Sequence, residues 1–272
     1  MRVAVIGHVE HVTIGAVAAV PLPGDIVHLE APRAFPGGGG GVAFYQLTRS
    51  PAEVLLYTAV GNDDAGAWIA DQLAATGAQV FTAARAQPHT RDVVLVTPGG
   101  QRTIVVIGEP LHPRRADPLP WQELATCDAA YFTAQDPDAL RWARAAKVLV
   151  VTARRREALA RSGVHADVVV GSLRDPREAT MLADYPIRPQ ALVLTDGENG
   201  GQVETAAGIT RWEASSPPAR IVGSYGAGDS FAAALTYFLA TGLAPQAAAA
   251  RAGAYGAAVL ASLVPQDAQR TL

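Results

Sequence analysis

The chain has 272 residues, 49% hydrophobic and 17% charged, with a net charge of −3. That balance excludes a disordered chain and leaves no basic footprint for nucleic acid or an anionic membrane surface. A single cysteine, Cys127, excludes an internal disulfide framework and a cysteine metal cluster, and fits a reducing cytoplasm.

The first apolar run, Val3–Ile6, reads as a short strand ended by Gly7; His8 and Glu10 interrupt it too early for a signal peptide. Residues 11–35 carry Val12-Thr13-Ile14 and Ile26-Val27-His28-Leu29 around a Pro-Leu-Pro-Gly turn, predicting two strands outside the main rhythm. Pro36 and the five glycines Gly37–Gly41 precede an expected helix over Val42–Arg49. The run is either a plain hinge or bare backbone against which a ligand presses. Val54–Val60 is a strand, Gly61-Asn62-Asp63-Asp64 a turn and cap, and Trp68, Ile69 and Leu73 mark the following helix. Residues 92–107 read as a hairpin around Pro98-Gly99-Gly100. Apolar runs at Ala129–Phe132, Val148–Val151, Val168–Val170 and Ala191–Leu194 alternate with helical stretches at Pro137–Ala146 and Arg154–Ala160. Continuous apolar strands spaced by helices predict a mainly parallel sheet covered on both faces, with 11–35 and 92–107 forming a small separate sheet. Ser230–Ala250 carries no charge, but Gly242 and Pro245 divide it into two alanine-rich helices suited to packing and not to a membrane span.

The densest motif is Gly223-Ser224-Tyr225-Gly226-Ala227-Gly228-Asp229-Ser230-Phe231, running into the apolar helix Phe231–Leu239. Glycines at a helix start expose N–H groups and the positive dipole end to an anion. Asp229 repels such an anion unless it takes a proton from a group attacking it, as in phosphoryl transfer. A tight turn with an ordinary dipole-stabilising Asp229 is the other reading, and these residues alone leave both open. No GxxxxGK[ST] loop, GxGxxG after a strand or GxSxG elbow is present, and the six histidines show no metal spacing.

The two glycine-rich elements, with Glu53-Val54…Ala59-Val60-Gly61-Asn62-Asp63-Asp64…Gly66 after the first and Gly226-Ala227-Gly228-Asp229 in the second, resemble the signatures of the ribokinase-like (PfkB) carbohydrate kinases. Leu194-Thr195-Asp196-Gly197-Glu198-Asn199-Gly200 is similar to that family's nucleotide-flanking turn, and Gly100-Gln101-Arg102-Thr103 fits its lid hairpin. The resemblance spans nearly the whole chain. It implies one ribokinase-like domain over residues 1–272, a three-layer α/β/α fold with a small β lid from segments near 11–35 and 92–107. It also implies ATP and Mg²⁺ as cofactors and a small-molecule alcohol as acceptor. In this resemblance Asp229 is the catalytic base, Gly226, Ala227 and Gly228 form the anion hole, and Thr195, Gly197 and Gly200 line the nucleotide. Gly37 and Gly38 face the substrate, and a homodimer through the lid is the assembly it allows.

The chain also departs from the family pattern. Val42 stands where these kinases usually carry Asn, Val12 where they carry Asp, and Glu10 where they often carry Asn. Ser172-Leu173-Arg174-Asp175 replaces Asn-x-x-Glu, leaving Asp175 as the metal candidate; Gly223-Ser224 replaces Asp-Thr, and Gly253 a late Asn. A sugar pocket works by hydrogen bonds to hydroxyls, so the expected substrate set is Glu10, Gly37, Gly38 and Val42 in a rewritten pocket. The expected activity is ATP-dependent phosphorylation of a sugar-like alcohol. A kinase-fold regulator that binds nucleotide or metabolite without turnover is the alternative.

Overall fold

The computed structural model describes all 272 residues. In chain order its strands are β1 (Arg2–Ile6), β2 (Glu10–Ala16), β3 (Glu30–Gly37), β4 (Glu53–Gly61), β5 (Gln79–Arg85), β6 (Arg91–Val96), β7 (Arg102–Ile107), β8 (Ala129–Phe132), β9 (Val148–Thr152), β10 (Val168–Ser172), β11 (Ala191–Thr195), β12 (Gly201–Thr205) and β13 (Gly208–Trp212). The helices are α1 (Gly38–Leu47), α2 (Asp64–Ala74), α3 (Pro137–Ala143), α4 (Arg156–Ser162), α5 (Ala227–Ala240), α6 (Pro245–Ala258) and α7 (Pro265–Ala268).

Nine strands form the large sheet, in the order β13-β12-β11-β10-β9-β8-β1-β4-β5. From β11 to β5 every neighbouring pair is parallel, and only the β12–β13 hairpin at one edge is antiparallel. The parallel strands are apolar throughout because helices cover both faces. On one face Val3, Val5, Leu56 and Val193 pack with Phe44, Ile69, Phe231, Leu235 and Ala252, so α1, α2, α5 and α6 form that layer. On the other, Ile6, Tyr57, Val151 and Leu192 pack with Leu140 of α3 and Leu159 of α4. The result is the expected three-layer α/β/α arrangement. No helix is long and apolar enough to cross a membrane.

A second sheet of four strands runs β3-β2-β6-β7, so the two segments that broke the rhythm meet as expected. Within it β2 and β6 are parallel, while β3 and β7 pair antiparallel at the edges. Two boundaries differ from expectation. The second strand lies at Glu30–Gly37 and not at Ile26–Leu29, where Ile26 is 89% exposed. The glycines Gly38–Gly41 form the first turn of α1, which therefore starts four residues before Val42.

Candidate active site

Parallel strands of the large sheet end along one edge, and the residues at and just beyond their ends line it. His8 follows β1, Thr133 follows β8, and Arg154 and Arg155 follow β9; Ser172 closes β10 and Thr195 closes β11. At this carboxyl edge the loops diverge and helix N-termini point inward, which makes it the ligand edge of an open α/β sheet. The start of α5 is one such terminus. Its cap, Gly226, has φ +77°, and a Cβ there would stand 2.7 Å from Pro265 and 3.0 Å from Val42, so only glycine fits. The N–H groups of Ala227, Gly228 and Asp229 have no backbone acceptor. A Cβ on Gly228 would meet nothing within 4 Å, so the helix start is open on that side.

Asp229 sits in the first turn of α5. Burial pushes its carboxyl above the usual range, against the pull of the Arg102 and Arg154 charges. A carboxylate with raised proton affinity beside N–H donors that no backbone carbonyl accepts can take a hydroxyl proton while those donors hold anionic oxygens. Across from it lies Gly39, whose added Cβ would stand 3.3 Å from Asp229 Oδ1 and 3.0 Å from Thr133 Oγ1. The Gly39 N–H donates to His8 Nε2 at 3.4 Å. Gly38, at φ +74°, borders His8 and Glu10 and donates its N–H to the buried Tyr225 hydroxyl at 2.9 Å. Gly37 is wedged between Val12 and Tyr225.

Beyond Gly39 the wall is polar. Glu10 and Asp92 are 7% and 3% exposed, and burial together with the Asp92 charge pushes the Glu10 carboxyl well above its ordinary range. Two buried carboxyls so placed favour sharing a proton over both ionising. The His8 Nε2 atom is 3.6 Å from Glu10 Oε1, and the His8 and His112 rings meet edge to face with centroids 4.8 Å apart. Burial, then the Arg155 and Arg154 charges, pulls His8 down to about 3; burial and His8 bring His112 to about 2. Both imidazoles are neutral at pH 7. Val12 and Val42 are not on this wall. Both are fully buried in an apolar cluster with Ile14, Phe35, Val94, Tyr225 and Val264, so Val42 offers no surface to a substrate. That is a correction to its expected place in the substrate set: the position faces the core under the small sheet.

On the opposite flank, the turn Asp196–Gly200 is pinned by Arg174, which pairs with Asp196 at 3.0 Å and Glu198 at 3.1 Å. Gly197 lies beneath that guanidinium at φ +57°. Gly200 is buried against the Trp212 carbonyl, and Thr195 donates to the Gly171 carbonyl at 3.3 Å. Past Gly226, residues 215–218 and the ends of α6 and α7 enclose a cleft of about 650 Å³, with Ala254, Ala257 and Ala258 on its floor.

Asp175 is held by Arg154 and by Arg177 at 3.3 Å. Burial works to raise its carboxyl, but the Arg177 hydrogen bonds and the Arg154 charge bring it below the ordinary value. Arg154 also grips Glu178, whose carboxyl is raised by burial and further by Asp229. No group of three ligating side chains exists. Mg²⁺ bound to phosphates takes only one or two carboxylates and keeps waters, and Glu178 with Asp175 meets that modest demand.

Arg155, Thr133, Glu178 and Asp92 escaped the sequence reading, and Arg102 entered it only within the lid-hairpin match. The one available signal was the run Arg154-Arg155-Arg156 directly after an apolar strand, since charge at a strand's carboxyl end faces the ligand edge.

The pfkB family carbohydrate kinase model matches residues 1–271. A search of curated proteins finds no significant match. Among solved structures, a ribokinase candidate from Agrobacterium tumefaciens superposes with TM-score 0.82 at 20% identity, covering 99% of this chain and 94% of that one. A nucleoside kinase from Methanocaldococcus jannaschii gives 0.76 at 13% identity, covering 99% and 94%. The Arabidopsis thaliana ribokinase, solved with ribose and ATP, gives 0.75 at 14% identity, covering 98% and 95%. These likenesses show a shared ribokinase-like fold. With the family match over the whole chain, the protein belongs to the pfkB family of carbohydrate kinases.

Proposed function

We propose that the protein transfers the γ-phosphoryl group of ATP to an alcohol of a sugar or sugar-like substrate. The observation that carries this reading is the gap between Asp229 and the bare backbone of Gly39, beside three N–H groups at the start of α5 that no backbone carbonyl accepts. An acceptor hydroxyl in that gap would give its proton to Asp229 as its oxygen attacks phosphorus. The N–H groups of Ala227, Gly228 and Asp229 would hold the oxygens of the moving phosphoryl group. The nucleotide phosphates would lie along Gly226–Gly228, with Thr195, Gly197 and Gly200 shaping the adjoining turn and the base in the 650 Å³ cleft. Mg²⁺, carried on the phosphates and reached by Glu178 and Asp175, would neutralise charge between phosphate oxygens.

The small sheet would act as a lid. Arg102 of β7 donates to both the carbonyl and the Oγ of Ser224 at 3.1 Å, tying the sheet to the loop that enters α5. Closure there would exclude water, the competing acceptor. Edge strand β7 presents Ile104, Val105, Val106 and Ile107 at 39–53% exposure, an unpaired apolar edge suited to a homodimer through the lid.

The test is ADP release across pentoses, hexoses, their phosphates, nucleosides and polyols. Turnover with any member supports the kinase reading. Nucleotide binding without turnover on the whole panel would favour a regulator.

A further inference from the structure

Arg155, in the turn after β9, forms no ion pair. Its Nε donates to the Thr133 carbonyl at 2.9 Å, and one terminal nitrogen lies 3.5 Å from His112 Nε2; those are its only polar contacts. Other arginines nearby are matched, Arg154 by Asp175 and Glu178, Arg174 by Asp196 and Glu198, Arg85 by Asp117, while Arg102 bonds only Ser224. Burial lowers the Arg155 pKa, yet a guanidinium stays charged in proteins.

No neighbour makes an ion pair with it. His8 and His112 are neutral, and Glu10 favours the Arg155 charge only through space, without contact. The Nδ1 atoms of both histidines are buried without partners, so this wall is under-satisfied. A buried, unpaired charge is costly, and folded proteins supply it with a counter-ion.

The position of Arg155 relative to Asp229 narrows what that counter-ion is. Thr133 spans the distance between them: its hydroxyl faces Gly39 in the Asp229 gap, while its carbonyl accepts from Arg155. Gly39, His8 and His112 form a second path, through contacts of 3.4 Å and 4.8 Å and then the 3.5 Å approach to Arg155. The cation and the carboxylate gap thus lie on two sides of the same residue, Thr133. We infer that the acceptor carries a carboxylate or phosphate group that pairs with Arg155 while its hydroxyl meets Asp229. The inference rests on the kinase reading for the hydroxyl end alone; the anion site stands on the unpaired guanidinium.

The experiment compares matched acceptors: a neutral sugar or polyol, the aldonate of the same skeleton, and its phosphate monoester. For the unmodified enzyme, kcat/KM for one anionic member should exceed that for the neutral one by on the order of 100-fold. The better arm tells carboxylate from phosphate. Arg155→Gln should erase the advantage and Arg155→Lys should keep part of it, which also covers misfolding of the glutamine variant. Equal kcat/KM for neutral and anionic members, or an equal loss on all three in Arg155→Gln, would overturn the inference. If nothing is phosphorylated, the kinase reading fails, and calorimetry on Asp229→Asn protein decides the anion site separately. Binding of an anionic member that disappears in Asp229→Asn/Arg155→Gln supports it, and no anion binding overturns it.

Discussion

Gly39 and Asp229 face each other across the site so closely that a single methyl on Gly39 would stand 3.3 Å from Asp229 Oδ1. One residue belongs to the first turn of α1 and the other to the first turn of α5, almost two hundred positions apart in sequence. Two helix starts therefore converge on one gap. Gly39→Ala should fill it, lowering kcat/KM for the acceptor by about 10²-fold, since small misplacements at a reacting centre carry losses of that size. Nucleotide affinity, measured by calorimetry, should stay within about threefold because the Gly226–Gly228 backbone is untouched.

Arg102 lowers the proton affinity of Asp229 from the lid side while donating to Ser224. Removing it leaves burial less opposed, so the Asp229 carboxyl rises further. In Arg102→Ala the acid limb of the kcat/KM profile should move to higher pH, because a base must be ionised to act. An acid limb at the wild-type position would show that the Arg102 charge does not reach Asp229.

Val42 fills part of a closed apolar cluster, not a sugar contact. Val42→Asn, the residue usual in the family, would bury a carboxamide among Val12, Phe35 and Val264. The variant should lose about 1–3 kcal/mol of stability, the penalty for an unpaired buried polar group. It should gain no affinity for neutral sugars. Denaturant titration and acceptor KM check the two halves.

Glu10 holds its proton in the folded protein at pH values where the unfolded chain has released it. The folded state then binds more protons, so stability falls as pH rises from the ordinary glutamate value toward the raised one. Glu10→Gln has no proton to lose and should flatten that fall. Each pH unit of the interval is worth about 1.4 kcal/mol, so thermal midpoints should separate in favour of the variant as pH rises above the ordinary glutamate value. Parallel slopes for the two proteins would contradict the protonated pair.

Elements whose determinants are local were legible in the sequence. The α2 cap could be read from Asp63, and its side chain does accept from the Gly66 N–H at 3.0 Å. The start of α1 could not, because glycine is a poor helix former and tertiary approach decides there. Gly40 donates to the His8 carbonyl at 3.0 Å, and a Cβ at Gly40 would stand 2.6 Å from that oxygen. Strand β3 was hidden by Pro32 and Pro36, which an edge strand tolerates and a central one does not. Arg155 lay in a run of three arginines that sequence cannot tell apart. Only the turn after β9 directs Arg154 to acids, Arg155 onto the Thr133 carbonyl and Arg156 outward.

Asp229→Asn is the sharpest test of the claim that Asp229 removes the acceptor proton. The substitution keeps the side chain's size and the α5 backbone donors while abolishing its basicity. With an acceptor that the unmodified enzyme phosphorylates, kcat should fall by at least about 10³-fold, while nucleotide affinity stays within about threefold. Full activity in Asp229→Asn would contradict the claim.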